Sequence, residues 1–346
     1  MTVRFPAEFE PHAATWIAWP HHEPDWPGKI EPIAWVYAEI VRVLAKHERV
    51  EILCQNEDAR EAARKTIAAH GATDNYRLHV LPTDRVWLRD SAPTGVVDDA
   101  GRVRLVNWRF NAWAKYENYA LDAKVGEAVA HIAGLSRDEP NRPDTGDRVV
   151  LEGGAIDTDG AGTLLVTEEC LLSDVQVRNP GLTREGYERV FRDALGIRQT
   201  IWLGEGCVGD DTHGHVDDIA RFTAPGTIAL AYEADPADDE NHRRSADNLE
   251  RLALAGFDRG EYRVVLLPFP RPVTMNGERL PASYANFYVA NGVVIVPTFN
   301  DANDRAALNT LAELFPGREV VGIHAVDLVW GLGTLHCLTQ QQPAGR

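Results

Sequence analysis

The sequence predicts an α/β fold assembled from one recurring unit: a β-hairpin, then an amphipathic helix, then an apolar strand. Three observations carry this reading. Alternating apolar stretches broken by Asp/Gly turns at 98–101, 157–160, 224–226 and 290–292 read as hairpins. Each hairpin leads into apolar residues three and four apart, the helical spacing, and then into a short apolar run. The hairpins begin near 92, 153, 217 and 284, a period of about 61 to 67 residues, which is long for a solenoid and compatible with a closed ring of α/β units.

Taken in chain order, 14–19 is a strand, 31–48 a helix and 49–54 a strand, and the segment 55–75 adds an extra helix. The next unit has a strand at 103–108, a helix at 123–135, a polar surface loop at 136–146 and a strand at 148–151. The following one has its helix at 184–197 and its last strand at 200–203. Then come a strand at 226–232, a helix at 238–256 and a strand at 263–267. The fourth hairpin is followed by a helix at 303–315 and a strand at 319–323. The C-terminal stretch 335–341 pairs with 14–19, so a fifth, split unit fastens the two ends of the chain. No linker or low-complexity segment interrupts the pattern, and 1–346 reads as one domain.

Composition narrows the function classes. The chain has 346 residues, 44% of them hydrophobic and 25% charged, with no apolar run of membrane-spanning length. Its first nine residues lack the apolar core of a signal peptide. Cys54, Cys170, Cys207 and Cys337 show neither paired nor metal-knuckle spacing, which suits free thiols in the cytoplasm. A formal charge of −17 disfavours nucleic acid and anionic membranes as partners and favours small cations, although solubility alone also accounts for it. A homo-oligomer stays open.

The reactive residue types sit where the hairpins begin: Asp90, Glu152, His215 with Asp217, and Cys337. Equivalent positions of stacked repeats gather on one face or around one axis, so groups distant in sequence can meet in one pocket. Cys337 follows a glycine-containing turn and a histidine, a setting that presents a thiol, whereas Cys54 and Cys170 lie in apolar runs as inert core residues do. The run from Asp210 to Asp218 is too dense in titratable groups for an uncompensated core strand. Its His213-Gly214-His215-Val216-Asp217 spacing also fits a metal cradle, because imidazole and carboxylate suit zinc. The residues themselves therefore support a thiol or a metal hydrolase with a cationic ligand.

Longer motifs carry a resemblance. They are residues 6–12 and 14–20, Trp87 to Pro93, Phe110-Asn111-Ala112-Trp113, Leu151 to Gly154, 167–172, Gly214 to Asp217, 283–288 and His336 to Gln341. In this order the chain resembles the agmatine deiminases of the Porphyromonas-type peptidyl-arginine deiminase family, within the guanidino-group-modifying superfamily. The resemblance implies a five-bladed α/β-propeller with its site on the pseudo-fivefold axis. It implies Cys337 as nucleophile, His215 as general acid and base, Asp90 and Asp217 as guanidinium ligands, and Glu152 as the group that orients and charge-balances the imidazole. No metal or other cofactor is required. Trp87, Asn111 and Trp113 would shape the substrate entrance, against the plainer reading of rim packing, and His213 would lend support from behind. The implied reaction hydrolyses agmatine to N-carbamoylputrescine and ammonia, a step toward putrescine.

This chemistry suits the residue types. Guanidinium is planar, cationic and rich in N–H donors, so two carboxylates can grip it through forked hydrogen bonds. Where relatives usually show glycine, this chain has Ala92, Ala114-Lys115, Leu332 and Thr334, which adds bulk near the pocket mouth and bears on the substrate tail. Other guanidino substrates such as arginine or peptidyl-arginine, a metallo-hydrolase built on His213, His215 and Asp217, and a silent guanidino-binding protein are the alternatives.

Overall fold

The computed structural model describes residues 3–256 and 262–345; the one-domain span 1–346 thus includes a few positions outside the described residues. Among the described residues, five mixed sheets of three or four strands and one two-stranded ribbon make up the β structure, and none closes on itself. The recurring unit is present. In Ala220–Ala224, Thr227–Tyr232 and Arg263–Pro268 the first two strands pair antiparallel and the third joins parallel after the helix Asp239–Leu254. The same order holds for Tyr288–Val289, Val293–Thr298, helix Asp304–Leu314 and Glu319–His324.

The helices follow from their apolar spacing. Arg184–Leu195 buries Tyr187, Val190, Phe191 and Leu195, one face of a 3.6-residue period. Thr183 caps its first turn by accepting from the Gly186 amide, and Gly196 ends it in the left-handed region at φ 72°. A Cβ at Gly196 would lie 1.9 Å from the Val3 carbonyl oxygen, so this close approach needs glycine as well as the turn does. Ile30–Leu44 and Glu57–Ala69 occupy the segments expected to be helical, followed by their strands Arg49–Cys54 and Tyr76–Val80.

Two expectations need correction. The stretch 148–151 is no strand. Only single bridges involve Arg148 and Val150, because the Asn179 side chain takes both the Val150 amide (3.0 Å) and its carbonyl (2.7 Å) as a neighbouring strand would. The strand that joins Val103–Val106 in parallel, the last in the order of a four-stranded sheet, is Arg137–Asp138, inside the segment read as a loop, where Asp138 pairs with Arg104 at 2.5 Å. At the C-terminus, Leu335–Leu338 is a single helical turn, and pairing with the N-terminal strand His12–Ala18 begins only at Gln340 opposite Trp16. The chain ends are nonetheless fastened to one another as the sequence implied. Among the described residues no helix is long and apolar enough to cross a membrane.

Candidate active site

The short turns that precede the hairpins position the chemistry. Leu88–Ser91 carries Asp90 ahead of strand Thr94–Asp98, and Glu152 immediately precedes the turn Gly153–Ala155. His215 precedes and Asp217 lies within Val216–Asp218, and Leu335–Leu338 carries Cys337 ahead of Gln340–Pro343. A helical turn at a strand start aims its side chains across the strand end rather than into the sheet faces, so residues far apart in sequence can converge.

They do converge. His215 is fully buried, with Nδ1 3.8 Å from Asp90 Oδ1 and 4.0 Å from Asp217 Oδ1, and Nε2 3.6 Å from Glu152 Oε2. The Cys337 thiol donates toward Asp217 Oδ2 at 3.7 Å. Gly154 makes room for this approach: a Cβ there would meet His215 Nδ1 at 2.5 Å and Asp90 Oδ1 at 3.0 Å. Both imidazole nitrogens, Glu152 Oε2 and Asp217 Oδ1 are buried without a hydrogen-bond partner. Buried polar atoms are rarely left so, and carboxylate oxygens without donors beside an imidazole suit a donor-rich cation.

Surrounding groups fix the charges. The Glu152 carboxyl, which burial alone would raise, is held at about 2 by Arg178, whose Nε donates to Oε1 at 3.1 Å, and by His215. Asp217 also sits below its ordinary range: the burial penalty is outweighed by His336, whose Nδ1 lies 2.6 Å from Oδ2. Burial disfavours the His215 imidazolium, but Asp90 together with contacts to Cys170 and Glu152 holds its pKa well above the usual value. Burial, opposed by His215 and reinforced by Asp217 and Glu152, pushes Asp90 up to about 6. The Cys337 thiol is driven well above its ordinary value by burial and by Asp217, Asp218 and Asp90. Without a ligand the resting sulfur is thus a neutral thiol among carboxylates, and an arriving cation removes the electrostatic obstacle to its ionisation.

A narrow pocket of about 40 Å³ reaches two of these groups, Asp90 and Cys337, while Glu152, His215 and Asp217 are not in its wall. Trp87, Asp90, Trp113 and Cys337 line its inner part, and Asp25, Tyr116, Asp211 and Leu332 are also in its walls. Trp113 Nε1 donates to Asp90 Oδ2 at 2.8 Å, and the three residues Ala112, Trp113 and Ala114 all hold φ between 51° and 58°. Left-handed backbone of this kind costs non-glycine residues about 1–2 kcal/mol each, and here it presents the indole to Asp90. Asn111 is not in the cavity wall; its side chain accepts from the Ala114 amide at 3.0 Å and so braces that strained turn. Leu332 is also left-handed at φ 67°.

His213 points elsewhere, with Nε2 2.9 Å from Ser173 Oγ and Nδ1 3.8 Å from Glu169. The His213, His215, Asp217 cradle is therefore not assembled. Glu152, Cys170 and His215 do bring ligand atoms within 4.8 Å of one another, as do Asp217, Asp218 and Cys337. Arg178 already supplies a positive partner to Glu152, and Asp217 Oδ2 is engaged by His336 Nδ1 at 2.6 Å, so these carboxylates are not left without partners for a metal to supply.

Several supporting residues escaped the sequence reading. Glu8 accepts from Arg89 (3.0 Å), Arg221 (2.8 Å) and the Val289 amide (2.8 Å), and its Oε2 lies 2.8 Å from His336 Nε2. This places a buried ion network directly behind Asp217. Its only signal in the sequence was the presence of Glu8, Arg89 and His336 within the longer motifs.

Comparison with known proteins gives the family of the chain. The model of the Porphyromonas-type peptidyl-arginine deiminase family matches residues 4–343. An agmatine deiminase of Pseudomonas aeruginosa is 36% identical over 367 residues, covering 99% of this chain and 96% of the relative. The structure of the agmatine deiminase of Enterococcus faecalis superposes with a TM-score of 0.90 at 30% identity, over 99% of this chain and 96% of that one. The C. jejuni agmatine deiminase, solved as a cysteine-to-serine variant with substrate bound, gives 0.87 at 27% identity over 99% and 97%. With a family match that runs almost from end to end, the chain belongs to the Porphyromonas-type peptidyl-arginine deiminase family.

Proposed function

We propose that this protein is an agmatine deiminase that works through a covalent intermediate on Cys337. The observation that carries the proposal is the convergence of a buried thiol, an imidazole and three carboxylates, of which Cys337 and Asp90 line a narrow pocket, in a chain whose relatives bear that name. The guanidinium lies between Asp90 and Asp217, each charged hydrogen bond contributing roughly 1.5–3 kcal/mol. Sulfur, ionised as the incoming cation offsets the carboxylates around it and its proton passes to water, bonds to the guanidinium carbon. The C–N bond to one terminal nitrogen then breaks, and the proton held by His215 leaves with it as ammonia. Neutral His215 deprotonates water, which attacks the thiouronium carbon. The C–S bond breaks, and N-carbamoylputrescine and the free sulfur result. Glu152 orients the imidazole and balances its charge.

Asp211 supports a cationic tail. It now accepts from Lys115 Nζ at 2.5 Å and from the Tyr116 hydroxyl at 2.8 Å, and an amine at the end of a butyl chain replaces the lysine there. Trp87 and Trp113 flank the alkyl chain, and Asn111 acts through the Trp113 turn. The reading includes a single catalytic domain folded as a five-bladed α/β-propeller, for which the five mixed sheets speak. It also includes a cytoplasmic setting, for which four free cysteines speak.

Enzyme quenched during turnover of agmatine should carry a thiouronium adduct on the peptide holding Cys337, seen by mass spectrometry, and should release ammonia from agmatine far faster than from arginine. Turnover without any adduct, and blocked by a chelator but not by iodoacetamide, would end the thiol reading. A pH dependence follows from Asp90. Only its ionised form grips the cation, so the agmatine KM should rise as pH falls through about 6, by about tenfold at one unit below. Asp90→Asn should bind weakly at all pH values and flatten that rise; a wild-type KM flat from pH 7 to 5 would refute the assignment.

A further inference from the structure

Four of the five recurring units deliver a reactive side chain from the turn before the hairpin. The unit whose first strand is Tyr288–Val289 delivers Asn286 instead, which is fully buried. Its amide is used on every side. Oδ1 accepts from Thr334 Oγ1 (2.7 Å) and from the His336 (3.0 Å) and Cys337 (3.4 Å) backbone amides. Backbone N–H groups can only donate, so the oxygen must face them, and this fixes which way the amide points. Nδ2 then donates to Cys337 Sγ at 3.0 Å and to Asp218 Oδ1 at 2.9 Å.

We infer that Asn286 is a catalytic residue of this site, clamping the turn that carries Cys337 with its oxygen while its amide hydrogen stabilises the sulfur as thiolate. The inference rests on Cys337 being the nucleophile. The sulfur's other charged and titratable surroundings give such a donor a purpose. Asp90 faces it from Leu88–Ser91, Asp217 and Asp218 from Val216–Asp218, and the Tyr37 hydroxyl from Ile30–Leu44. His215 and His336 are engaged mainly with carboxylates. Among these neighbours three are carboxylates, and the Asn286 amide is a neutral donor placed on the sulfur itself. A hydrogen bond to the charged form favours that form, and it persists after the substrate cation has been converted to product, when the sulfur departs as an anion.

The test compares Asn286→Ala and Asn286→Asp with the parent enzyme, using the pH dependence of Cys337 carboxymethylation by iodoacetamide, followed on its own peptide, alongside kcat and KM. Both variants should move the midpoint of alkylation to higher pH, Asn286→Asp by more because it sets an acceptor against the sulfur. At neutral pH alkylation should slow by about tenfold for every pH unit that the midpoint climbs. kcat should fall on the order of 10²-fold while KM for agmatine changes little, and agmatine binding by calorimetry reports that the site is folded. Folded, agmatine-binding variants with an unmoved midpoint would overturn the inference, leaving Asn286 as packing. Cys337→Ser separates the two levels: if that variant keeps turnover, the nucleophile assignment itself fails, whatever Asn286 does.

Discussion

Cys337→Ser is expected to remove turnover, by on the order of 10⁴-fold or more, while agmatine still binds. The hydroxyl is close in size to the thiol and keeps the hydrogen bond from Asn286 in reach, so the cavity keeps its shape. Serine fails because its oxygen is far harder to ionise at neutral pH, in a place where even a thiol is pushed up by burial and by Asp217, Asp218 and Asp90. Binding survives because the grip on the cation comes from Asp90 and Asp217, not from sulfur. Ammonia release under saturating agmatine and binding by calorimetry are the two measurements. A variant that keeps a tenth of the parental rate would mean that sulfur forms no bond to carbon, and a variant that neither binds nor turns over would show that the residue holds the fold.

The sequence made the helices legible because their burial repeats every three or four residues, and every helical segment it marked holds one. It also singled out five side chains that the fold brings together, since the turns before the hairpins carry them. Two kinds of feature stayed out of reach. The first is pairing that depends on one distant side chain: Asn179 satisfies Val150, so 148–151 forms no ladder despite its apolar character, while the polar Arg137–Asp138 joins the sheet through Arg104. The second is the buried ion network. Glu8, Arg89, Arg221 and His336 come from distant parts of the chain, and no local periodicity records that they compensate one another. The crowding of acids between Asp210 and Asp218 did announce that partners must exist; it could not say that one of them is Asn286, a residue type with no charge to attract attention.

His215→Ala should be nearly as damaging as loss of the sulfur, because the imidazole acts twice. It protonates the departing ammonia and then deprotonates the attacking water, and general acid–base assistance is worth roughly 10²–10⁴-fold at each step it serves. A second effect compounds the first. With its pKa well above the ordinary value, His215 is the cation that faces Asp90, Glu152 and Asp217 in the empty site. Removing it leaves those carboxylates to repel one another, so Asp90, already raised to about 6, should take up its proton at still higher pH. The variant's KM for agmatine should therefore begin to rise at a higher pH than in the parent, in addition to the collapse of kcat. Because Cys337 and His215 serve the same two steps, the double variant Cys337→Ser with His215→Ala should be scarcely slower than either single one. If the two losses instead multiply, the residues work on separate steps, and the imidazole is not the group that carries the proton for the sulfur chemistry.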